Sequence, residues 1–316
     1  MLRRYVLEPQ LTDEARTFLL NAGPPPWRHP ARRSCFEIYL SWRFIRANFP
    51  ASVLVTLITV VSAWHIAESS WRELPLVLTV AAIHGWLFIY VHELPNQALG
   101  ADEDRMNKPH RPIPSGRCTV AGAQQRAIVV ACLFVVFSAF IEVLHWAALW
   151  LITILLYHFA GGHRSWPTKT LMPMIGAAAL IASAWIIGAG RVDSIGWTWI
   201  AASFLYWAGV GTLQDQRDIA GDKLLGRRTL PMVIGDRANR IAGAAFLTAL
   251  PVTLVVPLGL WAQQTAAVVA VQATFTAMCW GLGARLLWRR SKADNDLTYK
   301  LYAASYCFLA AGPLLL

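Results

Sequence analysis

Asn96–Arg117 reads NQALGADEDRMNKPHRPIPSGR, a polar run of amides, carboxylates, four Lys or Arg cations and three prolines between two apolar stretches. Such density at the end of an apolar segment marks the place where chemistry is concentrated. Asn96, Gly100 and Asp104 follow i, i+4, i+8 spacing, so in a continuing helix Asn96 and Asp104 share a face while Asp102 and Glu103 point elsewhere. Pro109, Pro112 and Pro114 then end the helix and force a turning loop that carries Lys108, Arg111 and Arg117.

A second segment, Asp215–Pro231 (DQRDIAGDKLLGRRTLP), repeats the arrangement after another apolar run. Asp215, Asp218 and Asp222 stand at i, i+3 and i+7 on one helical face. Like charges so placed repel unless a cation joins them. A hard divalent ion with oxygen ligands meets that need, Mg²⁺ in particular, because it is commonly held by one or two carboxylates plus substrate phosphates. The competing reading is a solvated polar face. Lys223, Arg227 and Arg228 follow the acids as Lys108 and Arg111 do in the first segment. Carboxylates and cations on both segments together suit a polyphosphate whose lipid part lies in the membrane.

The remainder of the chain supplies that membrane. Of 316 residues, 56% are hydrophobic and 15% charged, against roughly 25% charged in an ordinary soluble domain. The expectation is an all-α polytopic membrane protein. Nine apolar runs, at 50–67, 74–92, 122–143, 145–160, 170–190, 194–213, 239–260, 264–286 and 300–316, approach the ~20 residues that cross a bilayer. They predict nine transmembrane helices around a central cavity over residues 49–316. Residues 1–48 read as a cytoplasmic leader with a PPPW turn at Pro24–Trp27, and Cys35–Asn48 as an interfacial helix or an extension of the first span. With the N-terminus inside, inner segments hold 26 of 28 Lys and Arg, leaving Arg72 and Arg191 outside. This asymmetry puts both polar segments on the cytoplasmic side. The net charge of +10 then reflects orientation and an anionic ligand, not nucleic-acid binding. Five scattered cysteines without metal spacing argue against a disulfide framework or a zinc site.

The first segment resembles the N-D-x-x-D-x-x-x-D motif and trailing R-P-I-P-S-G of the UbiA superfamily of intramembrane prenyltransferases, and the second is similar to that family's other aspartate motif. The resemblance covers about residues 45–316. It implies two Mg²⁺ ions, Asn96 and Asp104 at one and Asp215, Asp218 and Asp222 at the other, with a diphosphate between them. It also implies diphosphate contacts from Lys108, Arg111, Lys169, Arg228 and Tyr157. Gln97 and Gly100 depart from the pattern at positions where aspartates are usual. The resemblance leaves Glu93, Asp102 or Glu103 as the replacement ligand, and the altered motif looks like a branch that includes membrane terpene cyclases.

Two activities follow from the resemblance: cyclisation of the cation formed from geranyl, farnesyl or geranylgeranyl diphosphate, or transfer of the prenyl group to an aromatic or other acceptor. A lipid-diphosphate binding or transport protein is the remote third. Trp86, Phe88, Phe204 and Trp207 lie within about three turns of the motifs and are candidates to line the cavity and face a cation, with plain packing as the competing role.

Overall fold

The computed structural model describes residues 30–224 and 226–316. Residues 1–29, including the expected leader and the Pro24–Trp27 turn, lie outside the described residues. Among those described the chain is entirely helical, apart from a single isolated bridge between Ser165 and Arg228. The helices are α1 (Pro30–Ile45), α2 (Val55–Ile66, entered through a π turn at Pro50–Leu54), α3 (Leu74–Leu99), α4 (Ala101–Asn107), α5 (Val120–Phe140), α6 (Leu144–His158) and α7 (Trp166–Ala189). They continue with α8 (Ser194–Tyr206), α9 (Val210–Leu224), α10 (Leu230–Ile234), α11 (Asp236–Ala249), α12 (Val252–Trp261), α13 (Ala266–Trp288) and α14 (Lys292–Ala311).

Local chemistry sets many of these ends. Thr119, Asp193, Thr265 and Ser291 each accept a hydrogen bond from the backbone N–H three residues on, capping α5, α8, α13 and α14, which satisfies N–H groups that a helix leaves without partners.

Every apolar run expected to cross the bilayer falls on a helix or a broken helix. Five helical columns are long and apolar enough to do so: α3, α5, α7, α11 with α12, and α13. The bent pair of α1 and the 50–66 segment, meeting at 86°, would make a sixth. The other columns fall short for visible reasons. At 1.5 Å per residue, the 15-residue α6 spans about 22 Å, and α8 is shorter still. α14 opens with Lys292, Asp294, Asp296 and Lys300. The outer surface suits lipid, since Ile128, Val136 and Phe140 of α5 are 69%, 69% and 84% exposed, far more apolar surface than a water-soluble helix presents.

Long, well-buried α7 is the central post. It packs against α2, α3, α6, α8 and α9, and two apolar cores meet along it, one built mainly from α1, α3, α5, α6 and α7 and the other from α2, α7–α9 and α11–α14. α4 packs directly on α9, bringing the two polar segments together although more than a hundred residues separate them. The route from α8 into α9 runs through a 3₁₀ turn, Trp207–Gly209. That turn is pressed against α11, where a β-carbon at Gly209 would lie 2.3 Å from Phe246 Cε1. Substituting Gly209→Ala is therefore expected to cost about 1–3 kcal/mol through overpacking, read as a lowered melting temperature of the detergent-solubilised protein.

Candidate functional site

Polar side chains from both segments line one cavity of about 730 Å³, with contributions from α1, α3, α4, α6, α7, α9 and α14. α3 runs past Pro95 to Leu99 and stops at Gly100. There the chain kinks, and α4 begins with Asp102, Glu103 and Asp104 in its first turn. The kink divides the acids. Glu103 and Asp104 are buried and line the cavity with Asn96, whereas Asp102, its side chain 84% exposed, turns outward to pair with Arg105. The proline-rich loop folds back so that Arg111 clasps Asp104, with Nη1 2.8 and 3.1 Å from the two carboxylate oxygens.

Glu93 also reaches the cavity. Its oxygens accept hydrogen bonds from Asn48 Nδ2 at 2.5 Å and Gln97 Nε2 at 2.8 Å, with Arg111 Nη2 3.8 Å away. Gln97 is fully buried beside it and donates also to the Phe44 carbonyl, so the residue occupying the usual aspartate position braces a carboxylate instead of supplying one.

On the opposite side Lys169, from the first turn of α7, stands 2.7 Å from Asp215 and 3.0 Å from Asp222. Those two aspartates are fully buried behind it, and Lys169 itself faces the cavity. Arg227 Nη1 lies 2.9 Å from both Asp222 Oδ1 and Glu103 Oε2, joining the second segment to the first. Asp218 faces the cavity beside Arg217. Burial alone would push its carboxyl up, but the Arg217 guanidinium outweighs this and holds it well below the usual carboxylate range. Burial, aided by Arg111, pushes the Lys108 ammonium below its ordinary value.

Tyr157, Lys108, Arg111 and Lys169 all line the cavity. Arg228 does not. Its backbone instead accepts from Trp166 N–H at 3.0 Å and donates to the Arg164 carbonyl at 2.8 Å, stitching the second segment to the loop that presents Lys169. Of the expected cavity aromatics, Phe88 and Trp207 line the wall, Trp86 stacks on Trp42 and Phe204 lies elsewhere. Sequence reading passed over Asn48, Trp150, Arg217, Asp296 and Tyr299, all of which line the cavity. Arg217 lies within the quoted second motif and was legible there as a cation flanked by two aspartates. Trp150 carried no signal in a chain with 15 tryptophans.

The donor set fits a magnesium ion in one particular way. Among the described residues no three His, Cys, Asp or Glu side chains converge on a common point, because the carboxylates are bridged by cations. Both Asp215 oxygens are buried without a hydrogen bond, with only the Lys169 charge against them. A hard ion completed by phosphate oxygens is suited to the oxygen donors of Asn96, Asp104 and Asp218 on the cavity wall.

The chain matches the UbiA prenyltransferase family over residues 52–307. It is 34% identical to Somaliensene A/B synthase of Streptomyces somaliensis, over 94% of this chain and 98% of that protein. It is 32% identical to Diterpene cyclase eriG of Hericium erinaceus (80% and 82%) and 31% identical to Polyprenyl transferase eriF of the same organism (86% and 93%). Its fold is that of a UbiA homologue from Archaeoglobus fulgidus solved with GPP and Mg²⁺, with a TM-score of 0.62 at 15% identity over 86% of this chain and 99% of that one. Family match, relatives and fold agree with the paired motifs: the chain belongs to the UbiA prenyltransferase family and is an isoprenyl-diphosphate enzyme.

Proposed function

We propose that this protein ionises an isoprenyl diphosphate with the help of Mg²⁺ and cyclises the resulting carbocation. The observation that carries this reading is the division of a single cavity into two chemistries. It is lined by Asn96, Asp104, Asp218, Lys108, Arg111 and Lys169 where α3, α7 and α9 meet the motif segments, and farther along these helices and on α6 by Phe88, Trp150, Met172, Leu180 and Trp207. A diphosphate belongs at the first and a prenyl chain at the second.

Asn96, Asp104 and Asp218 would hold two magnesium ions between protein and phosphate, and the bound metal would act as a Lewis acid on the leaving group. Lys169, Lys108 and Arg111 neutralise the departing diphosphate; Asp215 and Asp222 keep the Lys169 ammonium aimed at it. The allylic C–O bond breaks and its electron pair leaves with diphosphate. The carbocation then meets aromatic faces, which attract it electrostatically, and a double bond of the same chain closes the ring before a proton is lost or water adds. Phe88 and Trp150 stack with centroids 4.8 Å apart and planes 2° from parallel, and the Trp150 N–H donates to the Phe88 carbonyl at 2.9 Å. A wall so fixed can impose one folding of the substrate.

Similarity over nearly the whole chain to a terpene synthase, and to a diterpene cyclase, supports cyclisation over transfer. Prenyl transfer to an aromatic or other acceptor is the second reading, favoured by the likeness to a polyprenyl transferase. We place all nine apolar columns in the bilayer, with the polar rim at the cytoplasmic face, on the strength of the cation distribution.

Incubated with Mg²⁺ and geranyl, farnesyl or geranylgeranyl diphosphate and no acceptor, the purified protein is expected to release pyrophosphate and give a cyclic hydrocarbon or alcohol, detected by gas chromatography and mass spectrometry. Turnover that begins only when an aromatic acceptor is added would establish transfer instead; binding without pyrophosphate release would mean a carrier. Asp104→Ala and Asp218→Ala should each lower turnover by more than the ~10–100-fold seen when a metal's outer partners are changed, in protein that stays folded at the assay temperature although its melting temperature falls, because each substitution leaves a buried guanidinium without its carboxylate. Asp102→Ala, which removes an exposed charge, should leave the rate within about twofold of wild type, as surface substitutions do.

A further inference from the structure

Arg217 belongs to the second motif by position, yet its side chain ties that motif to the last helix. Its Nε and Nη2 donate to the two oxygens of Asp218, each at 2.8 Å, in a bidentate fork. Nη1 lies 3.2 Å from Asp296 Oδ1, and the guanidinium carbon sits 4.8 Å from the centre of the Tyr299 ring. Asp296 in turn pairs with Lys300 at 2.5 Å. Arg217, Asp218, Asp296 and Tyr299 all line the cavity. A planar fork engaged on one edge, pulled at its remaining nitrogen and covered on its face has little freedom to rotate. The plane of the Asp218 carboxylate is thereby set from α14, about eighty residues away in the chain.

We propose that Arg217 is a positioning residue for Asp218, and that Asp296 and Tyr299 of α14 determine how strongly Asp218 engages a magnesium–diphosphate ligand. The proposal rests on the reading of this cavity as a magnesium–diphosphate site. Two effects of losing the brace act in the same direction. Without Asp296, the Arg217 charge is shared with Asp218 alone, so the guanidinium competes harder with a metal for that carboxylate. Without the ring face, the fork is free to turn and the carboxylate loses its fixed orientation. Both weaken binding, and outer partners of a metal ligand are typically worth 10–100-fold in affinity.

The test is calorimetric titration of the full-length protein in detergent with Mg²⁺ and inorganic pyrophosphate, alongside thermal melting. Asp296→Asn is expected to weaken binding about tenfold with little change in melting temperature. Tyr299→Leu should follow it, whereas Tyr299→Phe, which keeps the ring, should stay within about twofold of wild type. A purely structural role for Asp296 would lower the melting temperature and leave affinity unchanged. Arg217→Lys keeps the charge and loses the fork, so it must shift affinity in the same direction, and it decides the matter where Asp296→Asn fails to fold. Affinity of the deciding variant within about threefold of wild type, less than 1 kcal/mol, overturns the positioning role. Absence of binding by the wild-type protein overturns the magnesium–diphosphate reading and the positioning role with it.

Discussion

The site depends on a chain of ion pairs that runs from Glu103 through Arg227 and Asp222 to Lys169 and Asp215. It joins α4, α9 and α7, three helices far apart in sequence, at the level where the polar rim meets the apolar interior. Its members are buried or nearly so. A charge taken out of water costs several kcal/mol after relaxation, and removing one partner of a buried pair typically costs about 3–5 kcal/mol, because the other is left uncompensated. Such a network therefore adds little to net stability, but it penalises any arrangement that separates its members. The two motif segments are held together by the expense of pulling them apart.

The same reasoning explains why nearly every acid at the rim has its own base. Asp104 has Arg111, Asp218 has Arg217, and Asp215 and Asp222 share Lys169. In a region of low effective dielectric, unpaired carboxylates crowded together would protonate instead of staying charged. At Asp218 the Arg217 guanidinium holds the carboxyl well below the usual carboxylate range, which leaves it charged and able to meet a metal. Under the proposed function, Arg111 and Lys169 would also be available to phosphate oxygens. A rim of balanced pairs, unlike a rim of one sign, can accept a metal and an anion together without a large unfavourable charge in either form.

The sequence made the architecture legible because helix length and apolarity are properties of continuous segments. All nine apolar runs fall on helices, of which five, or six with the bent pair, are long and apolar enough to cross a bilayer among the described residues, and both aspartate segments line one cavity. Finer placement depended on contacts between distant residues. α3 ends at Gly100 and α4 begins at once, so Asp102 faces outward as expected; Glu103, expected to point elsewhere, joins Asn96 and Asp104 at the cavity, in keeping with its i+7 spacing from Asn96. Arg227 and Arg228 are adjacent and chemically identical; a two-strand backbone stitch to the 164–166 loop decides that Arg227 turns inward. Trp150 and Tyr299 come from helices without any motif, and only their packing beside Phe88 and Arg217 reveals a place in the site.

That packing also bears on what happens below the rim. Trp150 is fixed by its N–H bond to the Phe88 carbonyl and by a parallel stack on the Phe88 ring. It is fixed a third time by Gly176 on α7, where a β-carbon would fall 2.5 Å from the indole Cζ3. Gly176 is thus a permitted close approach that lets the ring lie flat against the helix instead of projecting across the cavity. A ring free to swing would leave many folded forms of a flexible prenyl chain similar in energy, and its carbocation would be open to capture at several positions. A ring held at three points makes the wall a surface of one shape, and under the proposed cyclisation that wall would set the order in which the substrate's double bonds approach the cation before ionisation begins.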